Sequence, residues 1–301
     1  MESLINTRFM VLSDTHNFRF EDYPEQDFRQ GLPKIDVLLH CGDLTQCGGI
    51  PSFQKALRML GSIEADLKLV IAGNHDLELD KDYWAAHLDE GDLAEEHDEA
   101  MDVWTGKAAK EAGVVFLSEG THTFVLKNEA KLTVYASPHT PEFCDWAFSY
   151  EHNLDRFNGD EDVDHDRGIQ SIAKNPVPSF PNIDIMMTHG PPKNILDECP
   201  QGHQGCDNIL RATSRAKPRL HCFGHIHEGY GATKITWQSN GAFVTEDMAV
   251  TPAKDARHVL LSETDGLEFG TNTLMVNAAI MTGNNEPLNL PWVVDVPLAQ
   301  N

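Results

Sequence analysis

Five short clusters in this chain combine imidazoles, carboxylates and glycines in the way a metal site requires. They are Asp14 with His16, Asp43 after Gly42, Asn74 with His75 and Asp76 after Gly73, His189 before Gly190, and His225 with His227 after Gly224. Imidazole is the commonest transition-metal ligand among side chains. In an extended segment residues i and i+2 point the same way, so Asp14 with His16, and His225 with His227, can each serve one centre or two adjacent ones. Apart from His75 and Asp76, the clusters offer four imidazoles, two carboxylates and one amide oxygen. That exceeds the need of one four-coordinate zinc ion and suits two ions sharing a bridging ligand. Mixed nitrogen and oxygen donors without a thiolate fit Mn, Fe or Zn. Each cluster alone also reads as ordinary structure: a helix cap, a turn or a left-handed bend.

What joins the clusters is their position after apolar runs. Phe9–Leu12, Ile35–Leu39, Leu67–Ala72, Ile183–Met187 and Leu220–Phe223 read as buried strands, each delivering one cluster at its carboxyl end. An α/β sheet presents its working residues in such loops. Pro51 opens an amphipathic helix to about Leu60, and residues 80–112 read as helical with a break near Gly91. Val114–Leu117, Thr123–Leu126 and Leu132–Ala136 read as strands, the last two forming a hairpin at Asn128. Asp207–Ala216 reads as a helix, and Thr233–Gln238, Leu274–Ala278 and Trp292–Val296 as further strands. Ser239–Thr273 shows no definite pattern. One domain over residues 1–301 is expected, with surface insertions near 88–112 and 151–181.

The net charge of −24, with acidic runs at Asp89–Glu99 and Asp155–Asp166, disfavours duplex nucleic acid and anionic membranes as partners. No basic segment followed by an apolar run opens the chain, and no apolar stretch approaches the roughly 20 residues of a membrane span. Six scattered cysteines without a Cys-x-x-Cys pair suit reduced thiols, so a cytoplasmic location is expected. Cys199, His203 and Cys206 do not have the spacing of a structural zinc loop.

The ordered series Asp-x-His, Gly-Asp, Gly-Asn-His-Asp, His-Gly and Gly-His-x-His resembles the calcineurin-like metallophosphoesterase superfamily. Within it, Ile71–Leu77, Thr188–Pro192 and Leu220–Gly231 are most similar to the metallophosphoesterase-domain-containing branch. The resemblance implies a four-layer αββα sandwich, two mixed β-sheets flanked by helices, with two divalent metal ions at one edge. It assigns Asp14, His16 and His227 to the first ion, Asn74, His189 and His225 to the second, and Asp43 to both. It places His75 beside the substrate, stabilising the transferring phosphoryl group or protonating the leaving oxygen, with Asp76 orienting it. Some mammalian members of the branch carry glycine where this chain has His225, so a complete centre is expected here. His139 stands where the branch usually has tryptophan.

The implied activity is that of a metal-dependent phosphoric ester hydrolase, a phosphodiesterase acting on small phosphodiesters with cyclic nucleotides among them. A phosphomonoesterase or protein phosphatase, a metal- or nucleotide-binding scaffold with little turnover, and a non-phosphate hydrolase with the same centre are the alternatives. The expected partner is a small phosphorylated substrate. Trp146, Phe148 and Tyr150 are candidates for a base-stacking wall, and Tyr230 for a residue bordering the site.

Overall fold

Alternate side chains along the central strands serve two different cores, and this builds the layers. The computed structural model describes residues 3–239, 242–248, 256–261 and 267–301, so much of the stretch without a definite pattern lies outside them. The first sheet contains strands β1 (Leu4–Leu12), β2 (Val37–His40), β3 (Leu67–Val70) and β4 (Val114–Phe116). The second contains β5 (Gly120–Val125), β6 (Lys131–Ser137), β7 (Ile185–Thr188), β8 (Leu220–Phe223), β9 (Gly231–Trp237), β10 (Phe243–Asp247) and β12 (Asn272–Asn277), while β11 (Val259–Leu261) and β13 (Trp292–Ala299) return to the first. The spatial orders are β11-β13-β1-β2-β3-β4 and β10-β9-β12-β8-β7-β6-β5, both of mixed direction.

Phe9, Val11, Val37, Leu39 and Leu69 of the first sheet meet Leu132, Val134, Ile185, Met187, Leu220 and Val276 of the second in one apolar layer. Their neighbours Met10, Leu12, Leu38 and Val70 face the other way, onto helices α1 (Ile50–Gly61), α3 (Glu96–Thr105) and α4 (Lys107–Glu111) through Phe53, Leu60, Trp104 and Ala109, with Tyr83 of the short α2 (Lys81–Ala86) at the edge of the same cluster. On the far side Tyr135 and Met186 pack against Ile209, Ala212 and Ala216 of α5 (Asp207–Ala216). The result is the expected αββα sandwich, held by the burial of alternate side chains in facing sheets.

One expectation changes. Residues 88–112 are not a surface insertion throughout, because Ala100, Val103 and Trp104 place α3 in the helical layer; the exposed part is the acidic turn before it. Residues 151–181 are tied to the body of the fold by side-chain hydrogen bonds. Buried Asp155 accepts from the Phe157 and Asn158 amides and from Asn158 Nδ2, and Arg215 of α5 donates to Val177 O and Asn158 Oδ1.

The strands that deliver the clusters are neighbours. β1, β2 and β3 are mutually parallel, with Leu12 opposite His40 and His40 opposite Val70, and β7 is parallel to β8. Ser13 ties the sheets together by accepting from Ile280 N and donating its amide to Ala278 O, and the Ala278 amide bonds Phe223 O. Five strand ends therefore converge on one rim. Among the described residues no helix is long and apolar enough to cross a membrane.

Candidate metal centre

At that rim the side chains form two donor groups. Asp14, His16 and His227 make one; Asp43, His189 and His225 make the other, and within each group the donor atoms lie within 4.8 Å of one another. Asp43 stands between them, with Oδ2 3.6 Å from His16 Nε2 and Oδ1 3.4 Å from His189 Nε2. Asn74 Oδ1 is 2.9 Å from His189 Nε2, and Asp14 Oδ1 is 3.5 Å from His227 Nε2. All seven residues expected to bind metal are thus brought together.

The turns that hold them are strained in a shared way. Asp14, His16, Asp43 and His225 have φ of 52°, 39°, 54° and 68°, a region that costs roughly 1–3 kcal/mol for residues with a side chain. Surrounding bonds enforce it: the His225 amide donates to both Asp14 carboxylate oxygens at 3.1 and 3.0 Å, and the His75 amide donates to Asp43 Oδ1 at 2.9 Å. Gly73 and Gly224 are required by close approach. A Cβ at Gly73 would run into the Asp43 carboxylate and the His189 ring, and one at Gly224 into Asp14 and Ser13.

Backbone carbonyls orient the imidazoles. His16 Nδ1 donates to Thr45 O, His189 Nδ1 to Cys41 O and His227 Nδ1 to Thr282 O, at 3.1, 2.8 and 3.2 Å. This fixes the tautomer and turns each Nε2 lone pair inward, the arrangement that supports metal-ligating histidines. The lone pairs of His16 and His227 then face each other 3.3 Å apart. Two acceptors at that distance repel unless a cation or a proton stands with them, as also holds for His189 and Asn74. The donor set therefore fits two divalent cations.

Burial alone would raise the Asp43 carboxyl, but the His189 and His16 imidazoles hold it well below the usual carboxylate range. Asp14 is lowered in the same way, by His227 against burial. Burial pulls His189 down, yet Asp43 outweighs it and pushes the imidazole up to about 9. His227 is raised by Asp14 against its burial. Burial lowers His16 and takes His225 to about 4.

His75 lies at the same rim but is held differently. Its Nδ1 donates to Gln46 O at 2.7 Å, its ring meets His16 edge-on at 4.8 Å, and the Trp146 indole lies against it at 4.1 Å. Asp76 does not orient it, contrary to expectation. Fully buried Asp76 accepts from the Gly73, Leu44 and Thr45 amides and from the Thr45 hydroxyl, at 2.9, 3.2, 2.9 and 2.8 Å. It braces the Asp43 turn against the Asn74 turn. Burial, then the Asp43 charge, raises its carboxyl to about 7.

The cleft over the donors has a volume of about 420 Å³, with Asp43, Asn74 and His75 on one side and Phe143 and Trp146 on another. Of the three aromatic candidates only Trp146 reaches it; Phe148 and Tyr150 are core residues. Tyr230 does not border it either, since its hydroxyl donates to Leu290 O and its ring packs on Trp292. His139 is bonded to Phe148 O behind the wall, and burial lowers it to about 4. Sequence reasoning missed the bracing carbonyls of Cys41, Thr45, Gln46 and Thr282, which carry no side-chain signal. His203, from the doubtful zinc loop, is paired with Asp197 at 2.7 Å.

A sandwich of two mixed sheets with paired His and Asp donors at one rim defines a class, the metallophosphoesterases. The calcineurin-like phosphoesterase family profile matches residues 7–229, and the chain belongs to that family. It is 32% identical over 304 residues to metallophosphoesterase domain-containing protein 1 of Homo sapiens, and equally to that of Mus musculus, covering 98% of this chain and 72% of each relative. A solved structure, TT1561 of Thermus thermophilus, superposes with a TM-score of 0.42 at 12% identity over 81% of this chain and 99% of that one.

Proposed function

We propose that this chain is a dinuclear-metal-dependent phosphodiesterase that hydrolyses small phosphodiesters, with cyclic nucleotides among the candidates. The observation that carries the reading is the placement of Asp43, one carboxylate oxygen turned to each donor group, with His75 on the same rim. Asp14, His16 and His227 would hold one divalent ion and Asn74, His189 and His225 the other, Asp43 serving both. Such a pair lowers the pKa of a shared water and draws on the phosphate oxygens. His75, with Nδ1 committed to Gln46 O, lines the cleft, where its remaining nitrogen would serve as proton donor to the leaving oxygen. Trp146 covers one face of the imidazole.

The cleft lining supports a diester. Among the described residues its lining beyond the metal donors contains Glu142 and Glu228 and no lysine or arginine, so apart from the ions themselves a singly charged phosphate suits it better than a dianionic monoester. The test reconstitutes the protein with Mn, Fe or Zn, measures metal content, and compares rates on bis(4-nitrophenyl) phosphate, 4-nitrophenyl phosphate and a cyclic-nucleotide panel. Faster turnover of diesters is expected. Inactivity on every ester with both ions bound would sink the reading, and a clear preference for the monoester would turn it to phosphomonoesterase.

A further inference from the structure

The metal cleft adjoins a second cavity. Pro141, His152, Gln204 and Cys206 line both, and the second has a volume of about 290 Å³. Its charge is unlike the rest of the molecule. In a chain with 23 basic and 47 acidic residues, Arg167 from the 151–181 segment, Lys193 from the loop after β7 and Arg211 from α5 all line this one annex. Among the described residues the lining of the metal cleft beside it has none.

These cations are not fully committed. Lys193 Nζ donates to His203 O at 2.7 Å and, among the described residues, has no carboxylate within ion-pair distance, so two of its three protons remain to give. Arg167 reaches Asp207 only at 3.7 Å, a loose pair between half-exposed side chains, whereas Arg211 is paired closely with Asp164 at 2.9 Å. Counting Asp164 and Asp207 against the three cations leaves one uncompensated positive charge. The annex also lies at the amino end of α5, whose dipole adds to the positive field. Its walls are built rather than floppy. Asn208 Nδ2 ties α5 to Leu154 O, and Asn158 Nδ2 donates to Asn208 O.

From this we infer that the annex binds a second phosphate group on the same small substrate, a terminal monoester dianion displaced from the scissile diester. Lys193 and Arg167 are its principal donors. The inference rests on the reading of the neighbouring cleft as the phosphodiester site, and it names which diesters that site prefers. A terminal dianion disfavoured beside Glu142 and Glu228 is accommodated one cavity further on, where an ammonium with two protons to give and a loosely paired guanidinium await it.

The test uses a matched pair: thymidine 5′-(4-nitrophenyl phosphate) with and without a 3′-phosphate. The metal-loaded wild type is expected to turn over the 3′-phosphorylated ester with kcat/KM higher by about tenfold or more, the effect of about one charge-assisted contact. In the Lys193→Ala/Arg167→Ala double variant that preference falls to near unity, while kcat/KM for the plain ester stays within about twofold. Equal turnover of the two esters by the wild type, or an unchanged preference in the variant, overturns the inference. Calorimetric titration of the metal-loaded protein with thymidine 3′,5′-bisphosphate and thymidine 5′-monophosphate separates this from failure of the chemistry. If neither ester is hydrolysed, the phosphodiesterase reading falls, but tighter binding of the bisphosphate by wild type and not by the variant still sustains the annex. Equal affinities in the two proteins refute it.

Discussion

The imidazole of His75 lies against the indole of Trp146, ring centroids 4.1 Å apart and planes tilted by 35°. With Nδ1 tied to Gln46 O, the imidazole has one free nitrogen and a covered face. Trp146 is itself carried on a fixed strap: Asp80 accepts from the Phe148 amide at 2.7 Å and Tyr83 donates to Asp145 O at 3.0 Å. The indole therefore positions the imidazole without touching either donor group. Trp146→Ala is expected to lower kcat about 10-fold or more, the usual penalty for a misplaced catalytic group, with metal content unchanged, and Trp146→Phe should recover most of the loss. A variant that loses metal, or in which phenylalanine rescues nothing, contradicts this role.

For His75 itself the expectation is a large loss of rate at constant metal content. His75→Ala removes the proton donor but none of the seven clustered ligand side chains, so kcat should drop by about 10²–10⁴-fold while elemental analysis still finds both ions. Loss of an ion would instead make His75 a ligand.

Asp43 and Asp76 separate two kinds of carboxylate. Asp43→Asn weakens the side chain that faces both donor groups, so both ions should be depleted together; a variant with one site full and active would falsify the shared-ligand assignment. Asp76→Ala strands three amide protons that now have a buried acceptor, those of Leu44, Thr45 and Gly73. Unpaired buried donors cost about 1–3 kcal/mol each, so the variant should unfold at a clearly lower denaturant midpoint and bind metal more weakly. If it lost rate with full stability and full metal, Asp76 would be catalytic after all.

Much of this was legible because buried parallel strands write themselves as apolar runs, and the residues after them carry the chemistry. Phe9–Leu12 was readable for that reason, whereas the first half of β1 was not. Asn6, Thr7 and Arg8 look like a polar lead-in, yet they pair with Pro297, Val296 and Asp295 of the last strand, and Arg8 is held by a bidentate pair to Asp295 at 2.7 Å. A partner about 290 residues away has no local signature. The seven clustered ligands were found by residue type. Asp76 departs from the orienting role that the resemblance implies, because its partners include backbone amides from a turn some 30 residues earlier, invisible to any motif.

The last expectation concerns acid stability and a histidine away from the cleft. His221 on β8 is fully buried between two hydroxyls, Thr188 Oγ1 at 2.9 Å from Nε2 and Thr213 Oγ1 at 3.2 Å from Nδ1. Burial takes its imidazole from 6.5 to about 3, so the folded protein keeps it neutral through the range where the unfolded chain protonates it. The unfolded state then binds the extra proton below about pH 6.5. The stability that the neutral ring contributes is complete above that pH and drains away toward pH 3, with a limiting slope of about 1.4 kcal/mol per pH unit. Replacing His221 by Gln removes the titration while leaving a polar side chain between the same hydroxyls. The variant should be less stable near pH 8, because the fit is poorer, yet its urea midpoint should fall less steeply than that of wild type between pH 6.5 and 4. His40, also taken to about 3 by burial, keeps part of the slope in both proteins, so the difference between the two curves is the quantity that reports on His221. Parallel curves would mean that His221 is protonated in the folded protein, and that the hydroxyl cage accommodates an imidazolium.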